Sequence, residues 1–165
     1  MLLQRVLIGA VAGYGANRAM DVATAWFYAR QDDASKQREE EVYPGGAILD
    51  AGRQIAAMMQ IANPDEDRIR QLGIGAHRAL GITYGVVAAT LVGFDVHPMK
   101  AGVLVGVAAF VLVDEIVNAV QLEPSPTDFP IEAHLRGVVG HATFGVVLGT
   151  GLTLAYPFLV RRYDR

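Results

Sequence analysis

Four stretches of the chain carry no Asp, Glu, Lys or Arg: Val6 to Asn17, Ala79 to Phe94, Ala101 to Val113 and Gly137 to Val160. The last is long enough by itself to cross a bilayer, which takes about 20 helical residues. The others reach that length when polar residues at one end of each helix lie within the membrane. The pattern predicts an all-α fold: a single integral membrane domain over 1–165, a bundle of four transmembrane helices at about 3–29, 73–94, 99–121 and 131–160. A soluble four-helix bundle is the competing reading, and it would need an unusually glycine-rich core. The first apolar run superficially resembles a signal peptide. Its helical pattern, however, continues unbroken to Trp26, Phe27 and Tyr28, an aromatic cluster that suits a membrane interface.

The connections read differently from the runs. "RQDDASKQREEEVYPGG" is charged and ends in Pro-Gly-Gly, so it is expected to be a solvated loop or a frayed helix end. Residues 47–62 form one short amphipathic helix, with Ile48, Ile55, Met58, Met59 and Ala62 on one face and Asp50, Arg53 and Gln54 away from it. It is too short to span and is expected at the interface or against the bundle. Asn63 as cap, Pro64 at the first position and acids at 65–67 mark the start of helix two. "DVHPMK" is a tight connection, and "EPSPTDFP" cannot be helical throughout. Four spans place both termini on one side; Arg5, Lys100, Arg161, Arg162 and Arg165 lie there, the first loop carries as many basic residues diluted among acids, and the termini are expected in the cytoplasm.

Each predicted span holds two glycines four residues apart: Gly9 and Gly13, Gly81 and Gly85, Gly102 and Gly106, Gly145 and Gly149. Lipid offers helices no hydrophobic drive to meet, so they associate by close backbone approach, which small residues permit. "TYGVV" at 83–87 and "TFGVV" at 143–147 echo each other, as similar packing needs would produce.

Composition narrows the chemistry. The chain is 52% hydrophobic and 19% charged, against about 25% charged in ordinary soluble domains. It has no cysteine, which excludes disulfides and thiolate metal sites. A net charge of -3 without a basic patch speaks against nucleic acid. No nucleophile elbow, phosphate loop or zinc-helix motif is present, so no catalytic residue and no cofactor is expected. Glu132, His134, His141, Asp114 and Glu115 do not follow a recognised metal-ligand spacing, and no metal is expected.

The polar residues inside the helices align nonetheless. Asn17, Asp21, Thr24 and Tyr28 share a face of helix one, beside Arg18. His77, Gly81 and Tyr84 align on helix two beside Arg78. Asp114, Asn118 and Gln121 align on helix three beside Glu115, and His134, Gly137, His141 and Gly145 on helix four beside Glu132 and Arg136. Counted at 1.5 Å per residue, Asp21 and Asp114 each lie roughly 10 Å from the same end of the bundle. The expectation is one buried polar layer in which Arg18, Arg78, Arg136 or the histidines neutralise the acids. An unpaired charge at the bilayer centre costs on the order of 3 kcal/mol or more. Such a layer serves one of two functions. It fixes helix packing in a structural, accessory or partner-binding membrane protein, or it conducts protons or ions, with His77 and His141 as relays and Asp21, Asp114 and Glu115 as acidic stations.

"MDVATAWFY" followed by "RQ", the loop segments "REEE" and "PGG", "HRALGITYG", "DEIVN", and "EAHLRGVVGH" before "GVV" occur in an order that resembles the YagU-type family of bacterial inner-membrane proteins. The resemblance implies a multi-pass protein of the plasma (inner) membrane with no defined biochemical activity. The partners expected from the residue reading are the lipid bilayer and either other membrane subunits or a second copy of itself. The charged positions that resemble the family's are Asp21, Glu39, His77, Asp114, Glu115, His134, Arg136 and His141.

Overall fold

Capping and turn chemistry divide the chain into helices. The computed structural model describes residues 2–112 and 124–160. Helix α1 runs Leu2–Arg30. Asp32 then caps α2, Asp33–Val42, by accepting from the Ser35 amide at 2.9 Å. Gly45 and Gly46 follow with φ of +76° and +65°, left-handed values at which a Cβ would be strained, and they turn the chain into α3, Gly46–Met58. Helix α4 spans Glu66–Val92, α5 spans Pro98–Ala109 and continues through a wider π-type turn at 110–112, and α6 spans Ile131–Leu154. A 3₁₀ turn, Pro126–Asp128, precedes α6, and a last helical turn, Tyr156–Leu159, follows it.

The order of glycine contacts gives the topology. Gly9 lies against Gly85 and Gly13 against Gly81, so α1 and α4 are antiparallel. Gly140 of α6 meets Met20 and Thr24 of α1, while Gly151 meets Ala12, so that pair is antiparallel too. Gly102 faces Gly145 and Gly149, and Gly106 faces the His141 carbonyl, so α5 runs against α6. A thinner contact between α4 and α5 closes an up-down-up-down ring. Its core is made largely of small residues: Ala16, Ala88, Ala89, Val92 and Ala101, with Phe144, Leu148, Leu152 and Leu159 filling the α6 end.

Several boundaries differ from those the sequence predicts. The charged first loop is not a frayed end, because α2 is a capped helix that docks on the bundle. The cap of α4 is Asp65, whose carboxylate accepts from the Arg68 amide at 2.7 Å, while Asn63 has a positive φ of 47° and belongs to the turn before it. Helix α3 ends at Met58 rather than Ala62, and it buries Leu49, Gly52 and Ala56. It packs on the first turns of α4, where Gly73 touches the Ile48 backbone, and Met58 and Met59 are exposed. Helix α6 stops at Leu154, not Val160. Pro157 has no amide to continue the ladder, and the closing turn instead supplies the Leu159 carbonyl to Arg5 Nε at 2.9 Å.

Among the described residues, α6 is the one helix long and apolar enough to cross a membrane by length and composition, and the apolar path Pro98–Leu112 is shorter. Arg5, Asn17, Arg18 and Asp21 lower the hydropathy of α1, and His77 and Arg78 that of α4. The rest of the predicted third span, with Asp114, Glu115 and Asn118, lies outside the described residues.

Candidate functional site

Among the described residues, the helix-internal polar side chains gather in two clusters; Asp114, Glu115 and Asn118 of the expected layer lie outside those residues. The deeper cluster lies between α1 and α4, one turn beyond the Gly13–Gly81 contact. Asn17 is 2% exposed there because Gly81 leaves room for its side chain. Its Nδ2 lies 3.1 Å from His77 Nε2 and 3.4 Å from the His77 carbonyl. Its Oδ1 accepts a short hydrogen bond from Arg78 Nη1, which fixes the orientation of the amide. Asp21 ties the group together: Oδ1 is 3.1 Å from His77 Nε2, and Oδ2 is 2.5 Å from Arg78 Nη2 and 3.6 Å from Arg18 Nη1. The His77 ring has two ways to satisfy its neighbours. A proton on Nε2 is donated to Asp21, and Asn17 then donates to the His77 carbonyl. A proton on Nδ1 leaves Nε2 to accept from Asn17.

The second cluster sits at the first-loop end of the bundle. Gln31 is ten residues beyond Asp21, roughly 15 Å along the helical path. Arg136 of α6 grips Glu39 of α2 with both guanidinium nitrogens, Nη2 to Oε2 at 2.5 Å and Nη1 to Oε1 at 3.0 Å. The same Nη1 donates to Gln31 Oε1 at 2.9 Å, and the guanidinium lies 5.1 Å from the Tyr28 ring centroid. Gln31 donates to Ser35 Oγ at 3.1 Å and makes a short bond to Glu39, and Ser35 donates to Glu132 Oε2 at 3.0 Å. Gln31 and Ser35 are buried. Arg38 Nε adds a bond to the Asp128 carbonyl at 3.3 Å. Helix α2 is therefore tied to α6 and the 3₁₀ turn through side chains. A cavity of about 400 Å³ beside this pair is lined by Tyr28, Tyr43, Phe110, Phe129 and His134.

Of the predicted residues, Arg18, Asp21, His77 and Arg78 come together, and Arg136 belongs to the second cluster. His134 Nε2 is 2.9 Å from the Pro126 carbonyl, and His141 Nδ1 is 3.0 Å from the Gly137 carbonyl, with its ring 5.7 Å from that of Phe110. Glu132 accepts from Ser35 of α2. Among the described residues, no buried side-chain nitrogen or oxygen lacks a hydrogen-bond partner. Gln31 and Ser35 were not anticipated, because their partners lie about a hundred positions away and their own segment is uniformly polar. Glu39 stood out only through the family resemblance.

In the first loop, burial and a hydrogen bond to Asp50 push the Tyr43 phenol up to about 12, against the weaker opposing pull of Arg53. No family model matches the chain, and neither a curated protein nor a solved structure matches it.

Proposed function

We propose that this chain is a four-span membrane scaffold whose two polar clusters lock its helices in register, and that it serves as an accessory or partner-binding subunit rather than an enzyme. The observation that carries the reading is an inversion of the usual soluble pattern. The long helices turn glycine and alanine inward, whereas Leu7, Val11, Leu80, Val87, Leu104, Val107, Val146 and Leu154 are exposed. Only 33% of the apolar window of α6 is buried, too little for the core helix of a soluble protein. Monomeric soluble proteins seldom leave so much contiguous apolar surface in water, and lipid accepts it. Both internal ion pairs are backed by further hydrogen bonds, Arg78 to Asn17 and Arg136 to Gln31, as a network that holds helices in register needs. The resemblance to YagU-type inner-membrane proteins agrees with this assignment.

The second reading, a proton pathway, draws on the His77 imidazole placed between Asn17 and Asp21. Liposomes loaded with a pH dye separate the two. A scaffold gives no flux above empty vesicles, with folding checked by circular dichroism. A pathway gives a leak that His77→Ala abolishes.

A further inference from the structure

Among the described residues, the deeper cluster does not balance its charge. Asp21 is the one carboxylate, among the described residues, within ion-pair distance of Arg18 and Arg78, so two guanidinium groups share one negative charge. Arg78 is the inner of the two, with its side chain 17% exposed and a 2.5 Å contact to Asp21. Arg18 holds the same carboxylate at 3.6 Å, and its side chain is 56% exposed. Its surroundings make this unusual. Leu7, Val11, Tyr14, Arg18 and Val22 follow one another at three- and four-residue steps along the outer face of α1, and all five are exposed. Gly15, one turn before Arg18, has nothing within 4 Å of where its Cβ would be. An excess cation thus stands in the middle of an apolar stripe that another backbone can approach closely at Gly15.

We infer that this stripe docks a membrane helix of another protein that carries one carboxylate at the depth of Arg18. The inference rests on the membrane reading above. Three considerations select the occupant. A carboxylate neutralises the surplus charge and takes the guanidinium in a two-pronged bond that Asp21 leaves unfilled. A second copy of this chain brings another surplus cation to the same level, which repels. A lipid phosphate sits at the headgroups, whereas Arg18 is eight residues inward of Trp26, roughly 12 Å and beyond the reach of an arginine side chain. Polar pairing of this kind is how membrane helices choose neighbours, since apolar contact alone does not distinguish a helix from lipid.

The test uses the full chain, donor-labelled, in phosphatidylcholine liposomes, with acceptor-labelled leucine–alanine transmembrane peptides carrying Glu, Gln or Lys at the depth of Arg18. The Glu peptide is expected to bind about tenfold more tightly than the Gln peptide. Arg18→Leu removes that preference, Arg18→Lys keeps it, and Arg18→Glu transfers it to the Lys peptide. Equal binding of the Glu and Gln peptides overturns the proposal, as does a preference that survives Arg18→Leu. Loss of the preference when phosphatidylglycerol is added identifies a lipid phosphate as the occupant instead. Energy transfer between two copies that depends on Arg18 identifies self-association instead. A chain left behind when the vesicles are floated refutes the membrane reading and this inference with it, whereas a floated chain without charge preference refutes this inference alone.

Discussion

Adding one methyl group at Gly85 tests the α1–α4 contact more sharply than removing any large side chain. A Cβ built there falls 2.6 Å from the Gly13 Cα and 2.7 Å from its nitrogen, and closer still to the Gly9 carbonyl. All three are backbone atoms and have no rotamer to adjust. Ordinary carbon contacts need about 3.5–4.0 Å, so the two helices must separate by roughly 1 Å. Overpacking of that kind costs about 1–3 kcal/mol. The same displacement stretches the Asn17–His77 contact one turn away out of hydrogen-bond range, which adds on the order of 1 kcal/mol. Alanine returns about 1 kcal/mol of helix propensity, which leaves a net loss near 2 kcal/mol. For a chain of this size that is roughly a 4–8 °C fall in midpoint, measurable by circular dichroism at 222 nm in detergent. Two controls frame it. Gly145→Ala meets its nearest atom, the Gly102 carbonyl, at 3.0 Å, and should change the midpoint by no more than about 2 °C. Gly15→Ala enters open space and should be neutral or slightly stabilising. A Gly85→Ala midpoint equal to wild type, or one matched by Gly15→Ala, would refute the close-approach argument.

Other consequences follow from the two clusters and the first loop. Asp21→Asn leaves two arginines without a carboxylate and should lower the midpoint more than Arg18→Leu, which leaves Asp21 paired with Arg78; the reverse order in a thermal melt would contradict the charge count. Glu39→Ala should release α2 and speed tryptic cleavage at Lys36 and Arg38, while the exchange Glu39→Arg with Arg136→Glu should restore much of the protection. For Tyr43 the folded pKa is raised from 10.0 to about 12, so the folded state holds a proton that the unfolded state releases. Its contribution to stability is complete below pH 10 and is lost as pH rises towards 12. Absorbance titration at alkaline pH should show a component near 12 that Tyr43→Phe removes and Asp50→Asn brings down.

What the sequence reveals here is what lies within one helix. The apolar runs place α1, α4, α5 and α6, and the spacing of Asn17, Asp21 and Arg18 against His77 and Arg78 anticipates the deeper cluster, because each residue shares a face with its own helical neighbours. The glycine pairs that stand out at four-residue spacing lie where α1 meets α4 and where α5 meets α6. Helix α2 could not be read in this way. "DASKQREEEV" has no apolar period, and what holds it is the Glu39–Arg136 grip across 97 positions together with the Gln31–Ser35–Glu132 relay and the Arg38 bond to the Asp128 carbonyl. The pairing of Arg136 with α2 was hidden for the same reason, since that loop helix was expected to be solvent-bathed. At the start of α4, both Asn63 and Asp65 are residues that cap helices, and only the backbone at Asn63 decides between them.

Whether the outer face of the bundle meets lipid is the question on which the rest depends, and a chain without cysteine makes it directly measurable. Single cysteines at Val11, Val87, Val107 and Val146, spin-labelled in reconstituted liposomes, report collision with oxygen, which concentrates in the bilayer, against a water-soluble nickel chelate. All four labels should be reached by oxygen and shielded from nickel, while labels at Gln37 and Met58 should be open to nickel. Nickel access at the four valine sites equal to that at Gln37 would show the helices standing in water, and the membrane bundle would be wrong.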